Sequence, residues 1–481
     1  MDLSVPFVEI IFIITLSLTF TAAYLGRKHS KVRAGGLANE KLNKWMIGLS
    51  AGATANSGFI VTGAVGLGYS FGAQWLLLPI SWFLGDLLFW KFCPAKINAV
   101  GQQAKATTLS ELLNSGLKGK MAKSASILAT IIIILCLGAY TSAQWLAGQK
   151  FVAGAFEFSG TVSLFLFACL IIAYSSIGGF RGSVYADAVQ AVIRLFGTLL
   201  ALIAILYIAY SDTNSLQQNW TRAGESFLDL LPGNALVASV FFVIGYMFAA
   251  FGFGLGQPQL LSRYLSGSSP EETKSAQWIY IGFVQFTWIS MTLFGIYLRG
   301  VMPEIGDPEA GLSIFFRAHF GDVLTGIIVA DIFSTIAATS NSLLIAMSHA
   351  VIHDFLPSTR SKQSKSVQTT FVVLVLGGLT MLGTLFIAER SSVFELAIGA
   401  VSLMGAGLAA PILIRIFDAE RTGLSLLLSM LAGLISAILW KYAQLDAFIN
   451  EAAIGILVGF ATNFVVVLAN RARSEPVSTT K

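Results

Sequence analysis

The segment from Trp45 to Gly72 contains the residue types in this sequence that are best suited to chemistry inside a membrane. It is long enough to cross a bilayer, yet Ser, Gly, Thr and Asn interrupt it near its middle, in the run SAGATANSGF. A regular spanning helix satisfies its own backbone hydrogen bonds, so small polar residues at mid-depth favour a helix that unwinds there and turns carbonyl oxygens inward. Backbone carbonyls at the bilayer centre are suited to binding small cations.

The composition places the rest of the chain in the membrane as well. Hydrophobic residues make up 55% and charged residues 11% of the 481 residues, and the mean hydropathy is +0.76. A soluble globular domain carries roughly twice that charged fraction. Windows long enough to span a bilayer predict about thirteen transmembrane helices. The gaps between them are too short for a further domain, so we expect one all-α integral membrane unit over residues 1–481.

Lys and Arg residues concentrate in alternate loops, including Arg27–Lys44, the region of Arg181, and Arg263–Lys274. By the positive-inside rule, this asymmetry predicts an N-terminus outside and a C-terminus in the cytoplasm of a multi-pass protein in the cell inner (plasma) membrane. The asymmetry also accounts for the net charge of +5. No basic stripe is interleaved with aromatic residues, so we expect the lipid bilayer and no nucleic acid as a partner.

A second interrupted segment suggests internal symmetry. Residues 234–262 contain the run GFGLGQP, which would break a membrane helix as the polar run in 45–70 does. If the first helix is set aside, each interrupted segment opens a group of five helices. Corresponding interruptions in two halves are typical of transporters that are built from inverted repeats, with the binding site at the midplane of the bilayer.

Five stretches in order resemble the sodium:solute symporter family, most closely its sodium/proline symporter branch. They are LSAGATANSGFIVTGAVG, AYSSIGGFRGSVYADAVQAVI, GLGQPQLLSRYLS, ADIFSTIAATSNSLLIAMSHAVIHDF and GAGLAAPILIRIFDAERTGLS. The resemblance implies a leucine-transporter-type core of two inverted five-helix repeats, with one helix before it and two after. The implied parts are an N-terminal helix and cytoplasmic loop, the first repeat, the second repeat, and two C-terminal helices with a tail, at 1–44, 45–210, 234–416 and 417–481.

The resemblance also implies a sodium site between the first interrupted helix and the eighth core helix. The matching positions are Ala53 and Asn56 on the first helix and Asp331, Ser334 and Thr335 on the other. Residues at i, i+3 and i+4 share one helical face, so the last three can address one point, and a hard alkali cation requires oxygen ligands. Alternatively, the two hydroxyls bond only within their own helix.

Asp331 departs from the family pattern. The proline symporter has Ala at this position and has Asp where this chain has Ala55. A carboxylate within the membrane costs about 2.5–3.5 kcal/mol on insertion scales, so it requires a partner or a role. Three interpretations remain open: the acidic group of the cation site has moved to the eighth helix, Asp331 pairs with a basic residue elsewhere in the core, or it carries a proton.

Asp187 matches an acid that is shared across the family, where some members bind a second sodium with serines of the eighth helix. Those positions read Ala337 and Ala338 here. We therefore expect one sodium per cycle and a gating or hydrogen-bonding role for Asp187. Arg194, two turns later, is long enough to reach an acid across the core. The sequence leaves open whether its partner is Asp187, Asp331 or a substrate carboxylate.

The residues matching the solute pocket of the proline symporter lie beside the two interruptions. They are Ser57, Gly58, Tyr140, Ala250, Gly254 and Pro258. The relative carries aromatic residues where this chain has Ala250 and Gly254, so we expect a wider pocket and a solute other than proline. Gln257 is a further candidate contact, because its amide could satisfy a carbonyl that Pro258 leaves without a donor.

The resemblance and the buried polar residues together predict a secondary active symporter that imports a small organic solute with Na⁺, its coupling ion, by alternating access. A proton-coupled symporter of the same fold and a transporter-like solute sensor remain alternatives. The sequence lacks HExxH, GxxxxGK[ST] and GxSxG motifs, so we expect no enzymatic activity. We also expect no obligatory protein partner.

Overall fold

The computed structural model describes residues 7–29, 41–231, 235–355, 362–387 and 391–474. These residues form twenty α-helices, and the described part of the chain contains no β-strand. The first ten helices are α1 (Phe7–His29), α2 (Lys44–Ala55), α3 (Gly58–Val61), α4 (Gly63–Phe71), α5 (Leu77–Phe92), α6 (Pro94–Ala104), α7 (Leu109–Asn114), α8 (Lys120–Phe156), α9 (Gly160–Ser211) and α10 (Thr213–Ala223). The other ten are α11 (Leu236–Gly256), α12 (Pro258–Leu265), α13 (Pro270–Ser275), α14 (Gln277–Val301), α15 (Gly311–His319), α16 (Asp322–Asp354), α17 (Lys362–Ile387), α18 (Val393–Ile416), α19 (Gly423–Tyr442) and α20 (Glu451–Ser474).

Eleven helical stretches of the described chain are long and apolar enough to cross a membrane. The count of about thirteen from the sequence differs from this number at two places. The segment 45–70 is divided among three short helices, and the apolar stretch Gly160–Ser176 is shorter than the other spans. The chain is therefore a multi-pass, all-helical membrane protein, as predicted, and its segment 45–70 is discontinuous.

Both predicted helix interruptions are present. Helix α2 ends at Ala55, Asn56 leaves the helical region with ψ of 66°, and Ser57 caps α3 in an extended conformation. In the second half, α11 ends at Gly256 and α12 begins at Pro258, with Gln257 extended between them. Proline lacks an amide hydrogen and is favoured in the first turn of a helix, which explains why the second interruption lies here.

Helix α9 is bent at Gly179, which has φ of 61° and ψ of −172°. A side chain would be strained at this φ, and glycine adopts it at little cost. This residue separates the apolar stretch Gly160–Ser176 from the span Gly179–Ser211. The change of direction within α9 is therefore made at Gly179.

Helix α16 lies at the centre of the bundle, packed against α9, α8 and α1. Almost all of its residues between Thr325 and Ala350 are buried. The lipid-facing surface is made instead by large exposed apolar side chains such as Phe196 of α9 and Phe386 of α17. The small polar residues of α16 are consequently held inside the protein, where each needs a partner.

Arg263 corrects the interpretation of the loops. The sequence pattern assigns it to a basic cytoplasmic loop, but it lies on α12 with only 1% of its surface exposed. Helix α12 is buried over Gln259–Leu265. The amphipathic run QLLSRYL has its polar residues directed into the protein interior, which reverses the usual expectation for an Arg between two membrane segments.

Candidate cation and solute sites

The interruption between α2 and α3 is held by polar contacts from two other helices. Thr339 of α16 donates its hydroxyl to the carbonyl oxygen of Thr54 at 2.9 Å. The Thr54 hydroxyl lies 3.1 Å from that of Ser342, one turn further along α16. On the other side, the Asn56 amide donates to the Thr287 hydroxyl of α14. The last turn of α2 therefore ends against hydroxyl-bearing faces, with the Thr54 carbonyl oxygen directed at α16.

The predicted sodium residues of α16 lie between one and about two turns before this contact. Thr335 donates its hydroxyl to the carbonyl of Asp331 at 2.9 Å, within its own helix. The Ser334 hydroxyl is buried and has no hydrogen-bond partner among the described residues. Ala53 is buried at the end of α2. Sequence reasoning missed Thr339, which belongs to the same hydroxyl-rich face and is the residue that contacts the interruption directly.

The carboxylate of Asp331 forms an ion pair with Arg194. The Arg194 Nη1 atom lies 2.6 Å from Asp331 Oδ2, and both side chains are almost completely buried. Of the three interpretations that the sequence leaves open, an ion pair is the one present in the structure. The pair joins α9 to α16, and the second oxygen of Asp331 has no partner among the described residues. Because both charges are removed from water, each depends on the other.

Asp187 is paired with Arg263, not with Arg194. Arg263 Nη2 donates to Asp187 Oδ2 at 2.9 Å, and Ser50 of α2 donates to the same oxygen at 2.7 Å. Ser342 of α16 also joins this network, because its Oγ accepts from Arg263 at 2.7 Å. The guanidinium thus supplies a fixed positive charge beside the acid.

Two of the predicted solute residues, Ser57 and Tyr140, line one small cavity beside the interruption. Trp82, Phe253 and Trp288 provide aromatic walls, and the sequence alone did not indicate the two tryptophans. Gly58 lies next to this cavity but faces α8, where its amide donates to the Gln144 side chain at 2.8 Å. The cavity is therefore mostly apolar, with two hydroxyls.

The structure does not bring the other predicted solute residues to this cavity. A Cβ atom at Gly254 would lie 2.6 Å from the ring of Phe89, and the Ala250 Cβ lies against Gly85, both on α5. The expected widening of the pocket at these positions is absent, because α5 occupies the space.

The two residues at the second interruption also lie elsewhere. Pro258 lines a different cavity, near Arg263. The Gln257 side chain accepts a hydrogen bond from the amide of Gln259 at 2.6 Å. Its own amide nitrogen has no partner among the described residues.

The contact at Gly254 predicts a destabilised variant. We expect Gly254→Ala to lower the free energy of unfolding by about 1–3 kcal/mol, because the added methyl group overlaps the Phe89 ring. The measurement is thermal unfolding of the purified protein in detergent. Gly378→Ala on α17 is the matched control, since nothing lies within 4 Å of its Cβ position. Equal melting temperatures for the two variants would contradict the packing described here.

These features define a membrane transporter with discontinuous helices. The family model of the sodium:solute symporter family matches residues 36–433, and the chain belongs to that family. The high-affinity proline transporter PutP of Bacillus subtilis (strain 168) is 23% identical over 458 residues, which cover 92% of this chain and 93% of that protein. The sodium/proline symporter of Escherichia coli (strain K12) is 24% identical over 423 residues, covering 84% and 82%. The resemblance that the sequence motifs suggested is confirmed.

Two solved structures are similar to this one in fold. A Na⁺-coupled sialic acid symporter in a substrate-bound, outward-open state has a TM-score of 0.77 at 17% identity, covering 96% of this chain and 98% of that chain. The nucleobase-cation-symport-1 family transporter Mhp1, in a closed conformation with bromovinylhydantoin bound, has a TM-score of 0.56 at 12% identity, covering 92% and 95%. The chain thus has the LeuT-like fold.

Proposed function

We propose that this protein is a secondary active symporter that imports a small organic solute together with Na⁺ across the cell inner (plasma) membrane. Family membership supports coupling of solute transport to sodium. Similar proteins are named as proline transporters and as a sialic acid symporter, and both of these solutes are small organic molecules. In this proposal the N-terminus is outside and the C-terminus is cytoplasmic.

The observation that carries the proposal is the contact between the end of α2 and α16. Helix α2 stops at Ala55, and Thr339 already bonds the carbonyl of Thr54. A sodium ion here would be held by carbonyl oxygens of Ala53 and Asn56 and by oxygens of Ser334, Thr335 and Thr339. Ser334 supports this assignment, because its buried hydroxyl has no partner among the described residues. Asp331 orients α16 through its pair with Arg194.

The proposed cycle is alternating access with one sodium per solute. The repeats would be residues 45–210 and 234–416, preceded by 1–44 and followed by 417–481. Sodium would stabilise the end of α2, and the solute would bind in the cavity lined by Ser57 and Tyr140, beside Gly58. Asp187 would gate the pathway from its network with Arg263. The charge of Arg263 supports a single sodium, because Arg263 pairs with Asp187 and would repel a second cation at that acid.

The sodium site predicts a cation-specific gain in stability. At a sodium concentration 100 times the dissociation constant, binding should raise the free energy of unfolding by about 2.7 kcal/mol. The measurement is thermal unfolding in NaCl against KCl at equal ionic strength. We expect the gain to disappear in Ser334→Ala/Thr335→Ala and in Thr339→Ala.

Ser348→Ala is the matched control for this experiment, because among the described residues the Ser348 hydroxyl bonds only to Ile345 within α16. It should keep the full sodium effect. A wild-type protein with identical melting temperatures in both salts would contradict the sodium site. A stability that followed pH instead would favour the proton-coupled alternative.

A further inference from the structure

Helix α5 buries a further carboxylate in the membrane, Asp86, within the apolar run WFLGDLLFW. Its exposed fraction is 1%. Neither of its carboxylate oxygens has a hydrogen-bond partner among the described residues. Asp187 and Asp331, in contrast, each pair with an arginine. A buried carboxylate without a donor is strongly unfavourable as an anion, so Asp86 either holds a proton or pairs with a positively charged group.

Aromatic side chains from three helices surround this region. The Trp90 ring on α5 lies 5.3 Å from that of Tyr264 on α12 and 5.2 Å from that of Tyr280 on α14. Both tyrosines are close enough to Asp86 to interact with its charge. The Trp90 indole nitrogen and the Tyr264 hydroxyl are also buried without partners in the described chain. Aromatic faces next to a carboxylate form a favourable environment for an organic cation.

The register of α5 and α14 places Asp86 at one end of the solute cavity. Trp82 contacts Trp288 with ring centroids 5.2 Å apart, and Trp90 contacts Tyr280 at the same separation. On α5, Asp86 lies one turn from Trp82 and one turn from Trp90. On α14, Val284 lies one turn from Trp288 and one turn from Tyr280. Trp82 and Val284 both line the cavity. Asp86 is therefore level with the cavity wall.

The lining of the cavity makes this carboxylate important for its chemistry. The lining residues are aromatic or aliphatic except for the hydroxyl-bearing Ser57 and Tyr140, and none carries a charge. Tyr280 lies within electrostatic range of both Asp86 and Tyr140. Asp86 therefore offers an acidic group level with the cavity wall, at the end bounded by α5, α12 and α14.

We propose that Asp86 binds a positively charged ammonium group of the transported solute, between the rings of Trp90, Tyr264 and Tyr280. The inference rests on the proposed transport function and narrows its substrate class to ammonium-bearing solutes, either zwitterionic or cationic. Access to Asp86 would require α11 or α12 to move relative to α5, and the interruption at Gln257 lies between those two helices. The carboxylate supplies the opposite charge. The aromatic rings compensate for the water that the ammonium group loses when it enters the site.

The test compares ammonium compounds with analogues in which carbon replaces the charged nitrogen. The probe pairs are L-proline and cyclopentanecarboxylate, glycine betaine and 3,3-dimethylbutyrate, and choline and 3,3-dimethyl-1-butanol. Thermal unfolding of the full-length protein is measured at fixed NaCl with each probe. We expect at least one ammonium probe to raise the melting temperature while its carbon analogue does not. We expect Asp86→Asn to weaken that probe's binding at least ten-fold.

Asp322→Asn, at the exposed start of α16, is the matched control and should keep the probe effect. The asparagine side chain has nearly the shape of aspartate, so without probe Asp86→Asn should melt no lower than wild type. The proposal is overturned if no ammonium probe stabilises wild type, if a carbon analogue stabilises equally, or if Asp86→Asn keeps the effect. It is also overturned if wild type melts higher than Asp86→Asn only at low pH, where Asp86 takes up a proton, and no probe adds to that difference. The sodium effect, measured without probe, fails separately if the transport proposal itself is wrong.

Discussion

Arg194→Met should lower the free energy of unfolding by about 3–5 kcal/mol, because it leaves the Asp331 carboxylate buried without its partner. The two side chains are 2% and 0% exposed, so neither water nor salt can replace the lost contact. Arg194 also joins α9 to the central helix, and its loss should loosen that interface. Chemical or thermal unfolding in detergent measures the effect.

The double variant Arg194→Met/Asp331→Leu distinguishes the pair from simple packing. Removing both charges should recover most of the stability, since the cost comes from the unpaired acid. The exposed pair of Arg317 and Glu157, with a separation of 2.7 Å, is the matched control. Arg317→Met should cost at most about 1 kcal/mol, as exposed ion pairs contribute little. The pair is not the stabilising contact if the double variant loses as much free energy of unfolding as the two single variants together. The same holds if Arg194→Met leaves the free energy of unfolding unchanged.

Arg263→Met should cost a similar amount, about 3–5 kcal/mol, and should release α12 in particular. Besides Asp187, the guanidinium donates to Ser50 of α2 at 3.1 Å, Ser183 of α9 at 3.2 Å and Ser342 of α16 at 2.7 Å. One side chain thus connects α12 to three other helices. We expect faster hydrogen–deuterium exchange over residues 258–265 than in wild type, with a smaller change elsewhere.

Arg263→Lys serves as the conservative comparison. Lysine keeps the charge but has a single nitrogen, so it cannot maintain contacts that diverge toward several helices. Its stability should fall between those of wild type and Arg263→Met. Exchange in α12 that is identical for all three proteins would contradict the role of Arg263 as the link between these helices.

The helix interruptions could be predicted from the sequence because the residues that cause them are local. Asn56 and Ser57 compete for backbone hydrogen bonds, and Pro258 cannot donate one. The central position of α16 could also be anticipated, since a membrane helix with many small polar residues must be buried. The family motifs then indicated which interruption faces which helix.

The partners of the buried charges could not be predicted in this way. Whether Arg194 reaches Asp187 or Asp331 depends on how α9 is placed against α16. No sequence pattern determines that placement. Arg263 was misassigned because a basic residue between two membrane segments is usually in a loop. Asp86 has no motif around it, so only the three-dimensional packing shows that it lacks a partner.

The space that the sequence suggested at Gly254 shows a similar limit of prediction. A smaller residue than that of a relative suggests space, but space on one helix is filled from another, here by Phe89 of α5. Thr339 was missed for a related reason. Several hydroxyls of α16 share one face, and the sequence does not show which of them is level with the end of α2.

The two arginine pairs also determine how α9 responds to the membrane potential. Asp187 and Arg194 lie about two turns apart on this helix, one acidic and one basic, and each is neutralised by a residue from another helix. Moving an uncompensated charge through a potential of 100 mV involves about 2.3 kcal/mol. Because α9 carries no such charge between these residues, its own displacement in the electric field is electrically silent. We therefore expect this stretch of α9 to make no contribution of its own to the voltage dependence of the transport that we propose.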